Sequence, residues 1–564
     1  MAQLDADVLV VGAGPVGLVM AAELVRHGAR VRIIDKAAAP FPYCRAIGIT
    51  PRTLEVYEDM GIARPMIDAG LWLDGLRVEV KDAVSRVHRV ELSDLPYAGL
   101  GLPQPETERI LGAHLASLGV NVERGVAFTS LTMGREAVDV NLAGPDGTTR
   151  TGRFAYVVGC DGAHSAVRRA LNVAFEGEAF PYPFTLGDVH AEWPPEADLP
   201  RGFALRAMEL HDDAPPDMFI AIPLPERGRY RVSMLAEPLP EDAAGSADGV
   251  SHGIQAEQPG VSLAALQTVA DRVMAKPPKL SDLRWSSRFR ISMRLAANYR
   301  VGRAFLAGDA AHIHPPTGGQ GMNTGIQDAY NLAWKLGLVL RHGAAPALLD
   351  SYEAERRPVA RDVIARTTEE SINLGRRRTP PNRLADTQIL LSYRGTAGFL
   401  HADVNDIGGA PPAGAPVAGD RAPDVQGLTR HGLGFPLRLF DLTRGTAHVL
   451  IVMIAPDPGV LATLEADARV LSTVGLPLRV VAVTTQGALE HVPLLGHLAT
   501  PQLPQPLGLT LVHDAAGGFA EAYRAAPGSA FLVRPDGYLG WTGRPFDRAA
   551  LRAVLPRLEQ PPEG

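Results

Sequence analysis

Three glycines near the start of the chain constrain its fold more than any other feature. Gly12, Gly14 and Gly17 stand in Gly-x-Gly-x-x-Gly spacing between an apolar run, Ala6 to Val11, and a helical pattern from about Pro15 to His27. In that pattern Leu18, Ala21, Leu24 and Val25 recur at helical spacing, and Gly28 suits the stop. A second apolar strand, Val31 to Asp35, follows and ends on an acid eighteen residues after the last glycine. The glycines permit a tight turn, close approach of backbone to a pyrophosphate, and close helix–strand packing. The helix N-terminus offers free N–H groups and the positive end of a dipole to that anion. Asp35 can accept hydrogen bonds from a ribose. Strand, turn, helix, strand and acid in this order predict a dinucleotide-binding βαβ unit, which the glycines alone would not.

Two later segments carry related chemistry. In Val157 to Arg168, VVGCDGAHSAVR, an apolar strand ends in Asp161-Gly162 and Ser165 opens a helical segment; alone, this is an ordinary strand-end turn. In Gly302 to Lys335, a strand ends at Gly308-Asp309 and a Pro- and Gly-rich loop leads into a helix. That arrangement presents a carboxylate to a sugar-like chain. It also presents the backbone N–H groups of Gly321, Met322 and Asn323 to a developing negative charge.

Composition narrows the remaining choices. At 564 residues the chain is too long for one core, and two to three domains are expected. Hydrophobic residues at 46% and charged residues at 21% fit a globular protein. The net charge of −7, without a block of like charges, gives no footprint for a nucleic acid. No apolar run reaches the roughly 18–20 residues of a membrane span. The N-terminus carries acids where a signal peptide wants bases, so a cytoplasmic protein is expected. Cys44 and Cys160 are the only cysteines, which leaves no disulfide framework and no cysteine-rich metal site.

Strand-rich sequence in Trp72 to Val90 and Pro183 to Ala236 predicts a separate sheet inserted between pieces of the first domain. A helix is expected at about Leu263 to Val273, capped by Ser262, and a long helix at about Met322 to Arg341. The expected boundaries are 1–71, 97–180 and 270–375 for the discontinuous dinucleotide-binding domain, 72–96 and 181–269 for the sheet domain, 376–415 for a linker, and 416–564 for a small α/β domain.

Taken together, the three motifs resemble the single-component, class A FAD-dependent aromatic monooxygenases of the para-hydroxybenzoate hydroxylase type. The closest branch includes 3-(3-hydroxyphenyl)propionate hydroxylase, pentachlorophenol monooxygenase and the aromatic polyketide hydroxylases. The resemblance covers about residues 6 to 375 and is most specific in Gly308 to Asp328. Arg45-Ala46 followed by Pro51 to Glu55, and Pro103-Gln104 with Glu108, add to it. The segments APDVQGL and FLVRPDGYLGW resemble the thioredoxin-like extension of this branch.

The fold implied is α/β: a Rossmann-type FAD-binding domain, an inserted mixed β-sheet domain over the substrate, and a C-terminal thioredoxin-like domain. The resemblance places Gly12, Gly14 and Gly17 against the FAD pyrophosphate and Asp35, with Lys36 beside it, at the adenosine ribose. Arg45 and Gln104 fall on the pyrophosphate–ribityl side. Asp161-Gly162 is linked to FAD and NAD(P)H, and Asp309 is expected as a buried carboxylate on the ribityl chain. Pro315, Gly318, Gly321, Met322 and Asn323 fall beside the isoalloxazine ring. Met218, Ile220 and Pro315 are expected at the substrate pocket.

The activity implied is hydroxylation of a phenolic compound using NADPH or NADH and O2, through a C4a-hydroperoxyflavin. A reductase or Baeyer–Villiger-type oxygenase of the same fold is the first alternative, and a flavin-binding protein without turnover the second. No catalytic base is legible, no metal is expected, and a homodimer is the assembly the reading allows. His312 and His314 are expected to pack or hydrogen-bond, Cys160 to be a small core residue, and Arg376 to Arg378 to be a solvated helix end.

Overall fold

The computed structural model describes all residues except 1–2, 43–45, 84, 181–182, 198, 213–214, 237–249, 251, 255–259, 316–318, 373–383, 397–410, 431, 486–508 and 556–564. Arg45, Gly318, Cys44 and the run Arg376 to Arg378 lie outside the described residues. The chain forms two compact units: Met1–Val25, Arg30–Tyr330 and Arg357–Ile389 make the first, and Arg26–Ala29, Asn331–Arg356 and Leu390–Gly564 the second. Among the described residues no helix is long and apolar enough to cross a membrane.

The opening βαβ unit forms where the apolar periodicity predicts it, with strand Ala6–Val11, helix Pro15–Arg26 and strand Val31–Asp35. All six residues of the first strand are buried, as a parallel strand covered on both faces requires. It pairs in parallel with Thr149–Gly159 on one side and Val31–Asp35 on the other. Strand Ala304–Leu306 joins in parallel beyond Gly159.

The inserted sheet has eight strands, in the order Gly253–Ile254, Lys279–Arg290, Phe184–Glu192, Arg229–Leu235, Asp217–Pro223, Phe203–Glu209, Gly75–Val80 and Arg86–Arg89. It is mixed: Phe203–Glu209 runs parallel to Gly75–Val80 and antiparallel to Asp217–Pro223. Lys279–Arg290, beyond the expected boundary at 270, belongs to this sheet. One face is closed by helix Leu263–Val273, whose Leu266, Ala270 and Val273 pack on Val189, Leu205, Ala207, Phe219, Ala221 and Val232. Ser262 caps that helix through the backbone N–H of Ala265.

The second unit is built on a five-stranded sheet in the order Leu509–His513, Leu478–Thr484, His448–Ile454, Ala530–Val533, Leu539–Gly543. The first three are parallel and the last two antiparallel additions. Helices Pro458–Leu471 and Arg548–Val554 pack on one face and the short Gly518–Ala522 on the other. Four charges sit inside this unit. Arg534 donates to both oxygens of Glu355, at 2.8 and 2.9 Å, and to Asp536 at 2.9 Å. Lys335 donates to Glu355 and to Asn331, each at 2.8 Å, and the Trp334 indole donates to Asp536 at 3.1 Å. Two cations thus meet two carboxylates, and every side chain is within 2% of full burial. Burial lowers the Lys335 ammonium to about 8 against the opposing pull of Glu355.

Candidate functional site

The parallel strands of the first unit end level with one another. Val11 stands opposite Ile34 and Gly159, and Gly159 opposite Leu306. The residues that follow, Gly12, Asp35, Asp161 and Gly308-Asp309, therefore line one edge of the sheet, where open parallel sheets bind their ligands.

The three glycines have different reasons for being glycine. A Cβ on Gly12 would lie 2.4 Å from the Cys160 carbonyl oxygen, and its φ of +101° lies where side chains are strained. A Cβ on Gly17 would lie 1.8 Å from the Gly12 carbonyl oxygen, so helix and turn are in direct backbone contact there. A Cβ on Gly14 would meet nothing within 4 Å. Nothing among the described residues requires glycine at this position, which opens onto space at the helix N-terminus. The first-turn N–H groups there lack intrahelical partners. A pyrophosphate approaching this backbone is the fit these residues offer.

Asp35 secures the turn: one carboxylate oxygen accepts from Ala13 N–H and the other from Ala37 N–H, each at 2.8 Å, with Arg124 at 3.7 Å. Its side chain is 18% exposed, and each oxygen retains acceptor capacity for a sugar hydroxyl. Lys36 is exposed beside it. Asp161 accepts from Ser165 Oγ at 2.5 Å and from the backbone N–H groups of Ala166 and Val167. It thus joins Ser165 in capping the helix Ala166–Ala170, and Gly162 turns the chain at φ +80°. Burial raises the Asp161 carboxyl against these hydrogen bonds. Gln104 accepts from Ala46 N–H at 3.2 Å and donates to Glu108 at 2.7 Å, which ties the two motif segments together.

Asp309 stands exposed in the 3-10 turn Gly308–Ala310 that follows the strand, not buried as expected. The buried acid of this region is Asp328, which the sequence reading did not single out. It accepts from Gly308 N–H at 3.1 Å and faces His312 Nε2 at 2.7 Å. Its helical position, twenty residues on from the turn it holds, hides it from local pattern reading. His314 meets the Pro315 carbonyl at 2.7 Å and is pushed down to about 4, first by burial and then by His312. Both histidines are hydrogen-bonded in the interior, as expected. The one group of potential metal ligands among the described residues is Glu209, His211 and Asp217, far along the chain from them. Cys160 is buried, and burial drives its thiol up, away from the reactive thiolate.

The long helix begins at Gly321. Asn323 fixes that beginning: its amide donates to the carbonyls of Gly48, at 2.9 Å, and Gly319, at 2.7 Å, and accepts from Thr50 N–H at 3.0 Å. Gln388, also unforeseen, donates to Gln320 and Thr324 and accepts from Gln327. Gly321 and Met322 remain partly exposed at this N-terminus, where a Cβ on Gly321 would lie 3.5 Å from His314 Nε2; Pro315 is buried.

The inserted sheet turns its second face away from helix Leu263–Val273. On it lie Val78, Val80, Leu186, Met208, Met218, Ile220 and Leu235, with Ile364 of helix Asp350–Ile372 packed against them. Met218 is 1% exposed and belongs to the core of this cluster, whereas Ile220 is only partly buried. Of the two, Ile220 is the one left with surface for a ligand.

The FAD binding domain family matches residues 5–367 of the chain. The chain is 32% identical over 558 residues to a 12-dehydrotetracycline 5-monooxygenase/anhydrotetracycline 6-monooxygenase of Streptomyces rimosus, covering 96% of this chain and 95% of that one. It is 30% identical to the pentachlorophenol 4-monooxygenase of Sphingobium chlorophenolicum, over 95% and 93% of the two chains. Among solved structures, the anhydrotetracycline hydroxylase OxyS from Streptomyces rimosus superposes with a TM-score of 0.68 at 28% identity over 99% of both chains. An aklavinone-11 hydroxylase in complex with FAD and aklavinone shares the fold, with a TM-score of 0.73 at 24% identity over 99% of this chain and 100% of that one.

Proposed function

The chain belongs to the FAD binding domain family, and from that premise we propose which residues hold the flavin and what reaction they serve. The protein is an FAD-dependent monooxygenase of aromatic compounds, like the tetracycline-type and pentachlorophenol monooxygenases it resembles. In our reading it hydroxylates a phenolic substrate with NADPH or NADH and O2. The observation that carries the flavin assignment is Gly14, a glycine that no contact among the described residues requires, at the mouth of a helix.

Gly12, Gly14 and Gly17 hold the pyrophosphate, Asp35 the adenosine ribose, and Asp309 the ribityl chain. Arg45 and Gln104 flank the pyrophosphate, and Asp161-Gly162 completes the edge. The N–H groups of Gly321 and Met322, oriented through Asn323, face the ring and favour negative charge there. Bound FAD supplies reduction by NAD(P)H and activation of O2. The protein's part is to position the substrate under the inserted sheet and keep water out.

The C-terminal unit takes a thioredoxin-like topology in this reading. Its order of three parallel strands followed by two antiparallel ones supports this. It has no dithiol chemistry, since residues 376–564 contain no cysteine.

The test is NADH and NADPH oxidation by the purified yellow protein against a panel of phenols, with peroxide and product identified. The expected result is substrate-stimulated oxidation and a product that gains one oxygen on an intact ring. Ring-inserted oxygen would indicate the Baeyer–Villiger alternative, and oxidation without oxygen transfer a reductase. Heat or acid should release FAD into solution; flavin retained in the pellet would contradict noncovalent binding.

A further inference from the structure

Arg206 lies in strand Phe203–Glu209 between Val78 on one neighbouring strand and Ile220 on the other. Side chains alternate along a strand, so Arg206 shares the face of Met208, not that of Leu205 and Ala207, which pack under helix Leu263–Val273. It stands among Val78, Met208 and Ile220, with Ser233 beyond Ile220; further along the same face Arg231 is already paired with Asp188. The Arg206 Nε is sealed from solvent and has no hydrogen-bond partner. Burial lowers the guanidinium below its usual range, and only the Glu370 carboxylate pulls the other way, with no ion pair formed. An arginine held like this costs stability unless something completes it.

A second buried polar atom is also without a partner. Thr368 Oγ1 lies on helix Asp350–Ile372, one turn on from Ile364, which packs against this sheet face. Its neighbour Thr367 bonds back to the Val363 carbonyl at 2.8 Å, as helical threonines do, but Thr368 does not. The apolar residues Val78, Val80, Ile220 and Leu235 of this face are only partly buried, whereas Leu205, Ala207, Phe219 and Ala221 on the opposite face are at most 1% exposed. This part of the face is mainly apolar and incompletely filled, and Arg206 Nε and Thr368 Oγ1 there are sealed without a hydrogen-bond partner.

We infer that Arg206, assisted by Thr368, is the specificity-determining group that receives an anionic oxygen of the aromatic substrate, a carboxylate or an ionised phenol, against the apolar face of the inserted sheet. The inference rests on the monooxygenase reading for the identity of the site as a substrate site. A planar aromatic body suits Val78, Ile220 and Met208, and a negative oxygen on its rim would complete the guanidinium by a charge-assisted hydrogen bond.

Three probes test it on the FAD-loaded protein, by perturbation of the flavin spectrum: 3-hydroxy-2-naphthoate, with a carboxylate; alizarin, with an acidic phenol and no carboxylate; and 2-naphthol, neutral. Arg206→Gln should weaken whichever anion the wild type prefers by roughly ten- to hundred-fold and leave 2-naphthol within about two-fold. Arg206→Lys should recover part of the loss, and Thr368→Val should lose less than Arg206→Gln. Preference for the naphthoate identifies a carboxylate, and preference for alizarin an ionised phenol. The melting temperature provides a second readout: Arg206→Met should melt no lower than wild type, since it removes a sealed Nε that has no hydrogen-bond partner, whereas a structural arginine would lower it. Unchanged anion affinity in Arg206→Gln or Arg206→Met, equal loss for all three probes, a lowered melting temperature in Arg206→Met, or a wild type that binds none of the probes or only 2-naphthol would overturn the inference. Loss of FAD by the wild-type protein would instead contradict the function reading, and flavin content is measured in every sample for that reason.

Discussion

The sheet edge of the first unit and the charged interior of the second treat unusual residues in opposite ways. At that edge a Cβ on Gly14 would meet nothing within 4 Å among the described residues, and in the inserted sheet of the same unit the partly buried Arg206 has a sealed Nε without a hydrogen-bond partner. In the second, Lys335, Arg534, Glu355 and Asp536 are buried charges, yet they are paired with one another and with Asn331 and Trp334. Unspent interactions mark where a ligand belongs, and spent ones mark where the fold holds itself together. Perturbed or buried charge alone does not separate the two.

The largest expected effect breaks the self-satisfied side. Glu355→Ala leaves Lys335 and Arg534 buried without their shared carboxylate and should destabilise the protein by about 3–5 kcal/mol. Denaturant unfolding measures this; a loss below about 1 kcal/mol would show that the quartet can relax or hydrate.

Acid should act next, and mainly on the second unit. His27 and His448 are pushed from 6.5 down to about 3, chiefly by burial, with Arg26 adding to the first and Arg534 to the second. Above about pH 6.5 the unfolded imidazoles are neutral too and stability is complete. As pH falls toward about 3 only the unfolded chain takes up these protons, so stability should drop by up to roughly 1.4 kcal/mol per pH unit for each histidine. His448→Leu should flatten the profile between those limits in thermal melts, and an unaltered slope would show that His448 does not govern it.

On the ligand side, Asp309→Ala should weaken FAD roughly ten- to hundred-fold while leaving the apoprotein's melting temperature unchanged, since the carboxylate is exposed. An unchanged FAD dissociation constant would remove Asp309 from the ribityl chain. The smallest effect expected is on turnover in a Cys44→Ser, Cys160→Ser double variant. Product formation should persist, because Cys160 is a buried, proton-retaining thiol and the second unit has no cysteine. Lost turnover in a folded, FAD-loaded sample would require a thiol in the cycle.

The same contrast explains what was legible in the sequence. The strand Ala6–Val11, the helices starting at Pro15 and Leu263, and the long helix Gly321–Arg341 follow from local periodicity and caps, which short windows carry in full. The motif residues of the sheet edge were legible for the same reason. Lys279–Arg290 was not, because its mixture of charged and aromatic residues has no clean apolar alternation, and its place is set by pairing with Phe184–Glu192. Asp328 and Gln388 act on turns distant in sequence. The buried quartet is assembled from residues up to 201 positions apart, Lys335 to Asp536. Arg206 looks like a solvent-facing residue in FALRAME until the neighbouring strands and helix Asp350–Ile372 are in place around its face.

The most direct test is a pair of glycine variants, compared as apoproteins and then titrated with FAD. Gly17→Ala should fail to accumulate as folded protein, because its Cβ would sit 1.8 Å from a backbone oxygen. Gly14→Val should melt as an apoprotein close to wild type, since its side chain enters open space, yet bind FAD at least about a hundred-fold more weakly. A Gly14→Val protein that binds FAD as tightly as wild type would contradict the account that this edge of the sheet is the flavin site.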